Sequence, residues 1–132
     1  MNLFYVEDDK LSRKVMRLMV ADTPEFDTLT MFEDSRDFEN RVVQLDPKPD
    51  VILLDIHVKP LSGFEMLSKL KTMDDFQTIP VVALTASVMN EEVQQLKSAG
   101  FDGVVAKPLN PDRFVNAIER IMQGENIWTI TQ

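Results

Sequence analysis

Apolar residues along the chain fall into two alternating kinds of run. The first kind is short, continuous and rich in branched side chains, at residues 3–6, 51–54 and 81–84. Such runs between turn residues predict strands buried on both faces, as in a parallel sheet covered by helices. The second kind recurs at helical spacing: Leu11, Val15, Leu18 and Met19; Phe38, Val42 and Leu45; Phe64, Leu67 and Leu70; Val93 and Leu96; Phe114, Val115, Ile118, Ile121 and Met122. Each set predicts an amphipathic helix. A looser alternation over residues 26–32 and a short run over 102–106 predict two further strands.

Punctuation residues agree with these boundaries. Asp8 and Asp9 stand where carboxylates cap the first helix, and Asp34 or Ser35 can cap the second. Thr23-Pro24 and the segment 46–49 break the chain between elements, and Gly63 opens the third helix. Gly100 is placed as a left-handed terminator of the fourth. Asn110 caps the last helix, with Pro111 at its first position, and Gly124 stops it. Strand and helix thus alternate five times. With right-handed crossovers, the expected fold is α/β: a doubly wound, five-stranded parallel sheet with helices on both faces.

Length and composition narrow the classes. At 132 residues the chain suits one domain, expected over residues 1–123, with 124–132 a tail or the start of a linker. Cysteine is absent, which removes disulfides, thiolate zinc sites and cysteine nucleophiles and suits the cytoplasm, the expected location. The first residues lack a basic segment and soon meet Glu7-Asp8-Asp9, so they do not read as a signal peptide. No apolar run approaches the ~20 residues of a membrane helix, so no membrane partner is expected. A net charge of −8 argues against direct binding to nucleic acid. The methionines, spread over helices and loops, read as core filler.

The candidate chemistry lies at the carboxyl ends of the strands, the edge where ligands collect in open α/β sheets. There the first strand brings Glu7, Asp8 and Asp9, the third Asp55, the fourth Thr85 and the fifth Lys107. Carboxylates gathered in one crevice repel unless a cation lies among them, and all-oxygen ligation suits Mg2+. An ammonium and a hydroxyl complete a set able to grip phosphoryl oxygens, with a carboxylate as nucleophile.

The motifs Val6-Glu7-Asp8, Leu53-Leu54-Asp55 with Gly63-Phe64-Glu65, Ala83-Leu84-Thr85-Ala86 and Lys107-Pro108 resemble those of receiver domains of two-component response regulators over about residues 2–123. The resemblance implies a flavodoxin-like fold with strand order 2-1-3-4-5. It implies Asp55 as phosphoacceptor, Thr85 and Lys107 as the groups that engage the phosphoryl group, and Mg2+ held by Asp8, Asp55, the backbone carbonyl of His57 and, through water, Glu7. It also implies a histidine kinase or phosphotransfer protein as donor, and an unidentified downstream protein as target. Signalling would pass through the face of the fourth helix, fifth strand and fifth helix, which could also serve a homodimer. The domain would not be a turnover enzyme, catalysing only its own phosphorylation and dephosphorylation.

Several positions depart from the family pattern. Lys59 stands where proline is usual, and the proline follows at Pro60. His57 and Ser87 occupy the places, two after the acceptor and two after the threonine, that influence phosphoryl lifetime. Val104 replaces the aromatic residue of the last strand, so the reading routes the signal through a backbone or loop shift. These departures keep open a phosphorylation-independent interaction module on the same fold. A phosphatase with an aspartyl-phosphate intermediate would want an aspartate where His57 stands. His57 itself reads as an exposed loop residue offering its carbonyl, and Trp128 as an anchor for a partner or for the tail.

Overall fold

A computed structural model describes residues 1–86 and 89–128. Its elements are β1 (Asn2–Val6), α1 (Lys10–Ala21), β2 (Thr28–Phe32), α2 (Phe38–Val42), β3 (Val51–Asp55), α3 (Gly63–Lys71), β4 (Val81–Thr85), α4 (Asn90–Ala99), β5 (Gly103–Ala106) and α5 (Pro111–Met122). The strands form one sheet in the order β2-β1-β3-β4-β5, every pair parallel. Ser87 lies outside the described residues.

Alternation along the strands explains why β3 and β4 contain almost no polar residue. Successive side chains point to opposite faces, and both faces are covered. Phe4, Val6, Ile52, Leu54 and Ala83 pack with Phe38, Val42, Met66, Leu67, Leu70 and Leu96 of α2, α3 and α4. Leu3, Tyr5, Leu53, Val82 and Leu84 pack on the other side with Met16, Met19, Phe114, Ile118 and Ile121 of α1 and α5. Among the described residues, no helix is long and apolar enough to cross a membrane.

The helix signals held in most places. Asp9 caps α1 by accepting from the Ser12 N–H at 2.9 Å, and Gly100 ends α4 at φ 105°. Asn110 caps α5 with Pro111 inside its first turn. Ser62 and Glu65 form a capping box at the start of α3.

Two expectations need correction. In α1 the buried residues are Met16 and Met19, whereas Leu11, Val15 and Leu18 face outward, Leu11 and Leu18 being 68% and 60% exposed. The helix carries two apolar stripes. The sheet takes the one on the side from which Arg13 reaches the β1 terminus, its Nη1 donating to the Glu7 carbonyl at 2.9 Å. For α2 the cap is neither Asp34 nor Ser35 but Asp37, in a left-handed conformation and without a side-chain cap bond. Asp34 instead receives the Arg36 N–H and the Arg41 guanidinium. Ser35 is fully buried and bonds to Leu61. Leu45 follows α2 and is half-buried against the core.

Candidate functional site

The apolar run of β3 ends at Asp55, in register with Leu84 of β4, and the run of β1 ends one residue before Glu7. Parallel pairing therefore delivers both carboxylates to the same sheet edge. Glu7, Asp8 and Asp55 converge there, each offering an oxygen within 4.8 Å of the others'. Glu7 and Asp55 are buried while Asp8 is exposed, so the cluster opens to solvent on the Asp8 side. Thr85, at the end of β4, is buried. Its carbonyl accepts the backbone N–H of Lys107 at 2.9 Å, which fixes the residue after β5.

The Lys107 ammonium is bonded to Glu7 Oε1 and lies 3.5 Å from Asp55 Oδ2. The Tyr5 hydroxyl donates to the same Glu7 oxygen at 2.6 Å. Tyr5 carried no candidate motif. Its signal was positional, since a residue two before Glu7 on an extended chain shares its face. The Asp9 N–H donates weakly to Glu7 Oε2 at 3.4 Å. Glu7 is therefore held from two sides, by the hydroxyl of Tyr5 in β1 and by the ammonium of the residue that follows β5.

These contacts divide the acidities of the two buried carboxyls. Burial would push Glu7 up, but hydrogen bonds from the Asp55 carboxyl, Lys107 and Tyr5 outweigh it and hold Glu7 down at about 2. Asp55 goes the other way. Burial first, then the Glu7 carboxylate by hydrogen bond and by charge, push it up to about 6, against the pull of the His57 N–H and Lys107. Tyr5 is raised by burial and by its bond to Glu7, so it remains a donor.

The segment after Asp55 alternates outward and inward. His57 and Lys59 are exposed, whereas Val58 is buried in the core below. The His57 N–H donates to Asp55 Oδ1 at 3.2 Å, a contact that comes from its backbone. Ser35 clamps the far end: its N–H donates to the Lys59 carbonyl at 3.2 Å. Its hydroxyl both donates to the Leu61 carbonyl and accepts from the Leu61 N–H, each at 2.7 Å. Gly63 then lets α3 approach the site. A Cβ there would meet Ile56 Cα at 3.0 Å and the Asp55 carbonyl at 3.1 Å.

The donor set fits a hard divalent cation such as Mg2+: three carboxylates, no sulfur or imidazole, and one side open for water and phosphate oxygens. The convergence of three carboxylates, with oxygens within 4.8 Å of one another, is the observation that favours it, because a cation at that point would relieve their repulsion. The arrangement as a whole presents a buried carboxylate at a strand end, with an ammonium beside it and a hydroxyl-bearing residue on the next strand.

Comparison with known proteins agrees with this layout. Residues 3–119 match the response regulator receiver domain family. A polar-differentiation response regulator, DivK, of Brucella anthropi is 28% identical over 118 residues, covering 89% of this chain and 93% of its own. The structure of the chemotaxis response regulator CheY4 of Vibrio cholerae superposes with a TM-score of 0.80 at 22% identity, over 91% of this chain and 97% of that one. A LuxR-family response regulator from Aurantimonas sp. SI85-9A1 gives 0.81 at 20% identity, over 96% and 87%. These two structures bear on the fold.

Proposed function

The chain belongs to the response regulator receiver family, and from that premise we propose that it is a phosphorylation-dependent switch with Asp55 as its phosphoacceptor. Receiver domains of this family interact with histidine kinases or phosphotransfer proteins and bind Mg2+ through acidic residues. The observation that carries the proposal is the position of Asp55: buried at the end of β3, 3.5 Å from the Lys107 ammonium and within reach of Glu7 and Asp8.

In this reading an Asp55 carboxylate oxygen attacks the phosphorus of a phosphohistidine on the donor. The new O–P bond forms as the P–N bond breaks, and the imidazole leaves with the electron pair. Mg2+, held by Asp8, Asp55, the His57 carbonyl and, through water, Glu7, would supply positive charge to the phosphoryl oxygens and favour the ionised carboxylates. Lys107 pairs with the transferred group, and the Thr85 hydroxyl turns toward it. The domain itself positions these groups for phosphorylation and hydrolysis and turns over no other substrate. The expected readout is the α4–β5–α5 face, in the cytoplasm.

The exposed stripe on α1 supports a docking position for the donor. Leu11, Val15 and Leu18 lie four and then three residues apart on one face of a helix that starts beside the acidic cluster. Lys10, Lys14 and Arg17 accompany them, and residues 10–21 include no acidic side chain, although the whole chain carries −8. An acidic helical partner with an apolar ridge fits such a surface.

The proposal is tested by incubating the protein with acetyl phosphate, with and without Mg2+, and following mass by intact-protein spectrometry. One phosphoryl group should be added only with Mg2+, and Asp55→Asn should abolish it. Incorporation that survives Asp55→Asn would remove Asp55 from the role.

A further inference from the structure

The segment after α5 returns to the sheet. Ile127 pairs in parallel with Gly103 as an isolated bridge beyond the β5 edge, and the Val104 N–H donates to the Ile127 carbonyl at 2.9 Å. In the register of β4 with β5, residues of β5 alternate between the β4 side and the outer edge. The tail thus fills part of the edge that β5 would otherwise leave open. Ile127 packs with the cluster under α5 and Trp128 with the cluster under α4. The Lys97 ammonium of α4 lies 5.6 Å from the Trp128 ring centroid. Gly103 makes this approach possible, since a Cβ there would meet Ile121 Cδ1 at 2.9 Å and the Ile127 carbonyl at 3.0 Å.

The tail crosses the sheet edge and flank of the α4–β5–α5 face. Trp128 joins the same cluster as Val104, the aliphatic residue that stands where the family pattern has an aromatic. The hold is slight. Beside it an open groove of about 380 Å3 runs between α5 and the tail, bounded by Val105, Arg113, Ala117, Ile127 and Trp128. Such a segment is open to displacement, because Ile127 and Trp128 are only partly buried and a groove lies on one side of them.

We infer that residues 125–128 form an intramolecular latch on the α4–β5–α5 face, and that loading of the Asp55 site releases it. The inference rests on the phosphoacceptor reading. The coupling has a short physical route. β5 is four residues long, with Lys107 directly after one end and the latch partners Gly103 and Val104 at the other. Lys107 is bonded to Glu7 and held by the Thr85 carbonyl. A phosphoryl group that draws Lys107 and Thr85 toward Asp55 pulls on the carboxyl end of this strand, four residues from the latch partners at its start, and a release requires that difference in contacts between the two states.

The chain contains a single tryptophan, so Trp128 emission reports the latch without labelling. The full chain is titrated with beryllofluoride and Mg2+. Fluorine NMR counts the bound analogue, while tryptophan quenching by acrylamide and exchange of the Val104 amide are followed in parallel. The expected result is bound analogue together with a red-shifted, more quenchable Trp128 and a Val104 amide that exchanges about tenfold faster. Ile127→Asp, a change in the tail outside the five strands and five helices, should produce the same signals without the analogue. Bound analogue with unchanged Trp128 and Val104 overturns the latch release and leaves the phosphoacceptor reading standing. Absence of bound analogue defeats that reading and the release with it. An Ile127→Asp protein whose Trp128 and Val104 match those of the parent overturns the latch itself.

Discussion

The Tyr5 hydroxyl donates to Glu7 Oε1 at 2.6 Å, so the aromatic residue that closes the α1–α5 side of the core also holds the site's buried glutamate. Glu7 is held well below its ordinary value of 4.5, at about 2, although its burial acts in the opposite direction. A carboxyl whose folded pKa is depressed stabilises the fold above its unfolded pKa and loses that contribution as pH falls through the folded one. Tyr5→Phe removes one of the bonds that depress it. The variant should be less stable by about 1–2 kcal/mol at pH 7. The difference should narrow as pH falls from about 4.5 toward 2. Urea unfolding at several pH values measures both.

Asp55 carries the opposite linkage. Burial and the neighbouring Glu7 raise it from 3.8 to about 6, so its contribution is fully present below about 3.8 and is lost as pH rises through 6. Asp55→Asn has no charge to lose there. Without Mg2+ the variant should exceed the parent in stability by about 1–3 kcal/mol near pH 7.5, with the gap closing below pH 4. Added Mg2+ should stabilise the parent more than the variant, because binding to the folded state stabilises in proportion to affinity. Paired thermal melts with Mg2+ and with chelator check both. A variant that melts below the parent in chelator at pH 7.5 contradicts the electrostatic account.

Much of this layout was legible in the sequence, for definite reasons. Strands buried on both faces leave continuous apolar runs, so β1, β3 and β4 announced themselves, and parallel topology then placed Glu7, Asp55, Thr85 and Lys107 on one edge. The α1 face was not legible, because Leu11, Val15 and Leu18 satisfy helical spacing as well as Met16 and Met19 do. Periodicity reports a stripe but not which stripe meets the sheet. Ser35 was equally opaque: a serine before a helix reads as a cap, and only the fold brings Leu61 to its hydroxyl. The return of Ile127 to the sheet edge depended on Gly103, whose missing side chain leaves room that sequence pattern does not display.

The proposed docking of the donor on the exposed α1 stripe can be separated from the phosphoryl chemistry. Leu18→Glu changes a residue that is 60% exposed and should alter stability by no more than about 0.5 kcal/mol. Labelling from acetyl phosphate should be unchanged. Transfer from the cognate phosphorylated histidine protein should slow by about tenfold, since the variant puts a negative charge into an apolar contact flanked by basic side chains. Equal slowing with both donors would place the effect at the site and not at the surface.

Ser35 sets how firmly the loop after Asp55 is held. Its buried hydroxyl serves both the carbonyl and the N–H of Leu61 at 2.7 Å, and its own N–H serves the Lys59 carbonyl. Ser35→Ala keeps the last bond and orphans two backbone groups, at a cost of about 1–3 kcal/mol. The damage should be local as well as global. His57, whose N–H meets Asp55 at 3.2 Å, lies between the site and this clamp, so its amide should exchange faster in the variant. Amides of β4, on the far side of β3, should change only in step with global stability. Native-state hydrogen exchange distinguishes the two. Uniform acceleration across β4 and the loop would mean that Ser35 supports the fold as a whole, whereas acceleration confined to residues 57–61 would identify it as the clamp that keeps the loop in place beside Asp55.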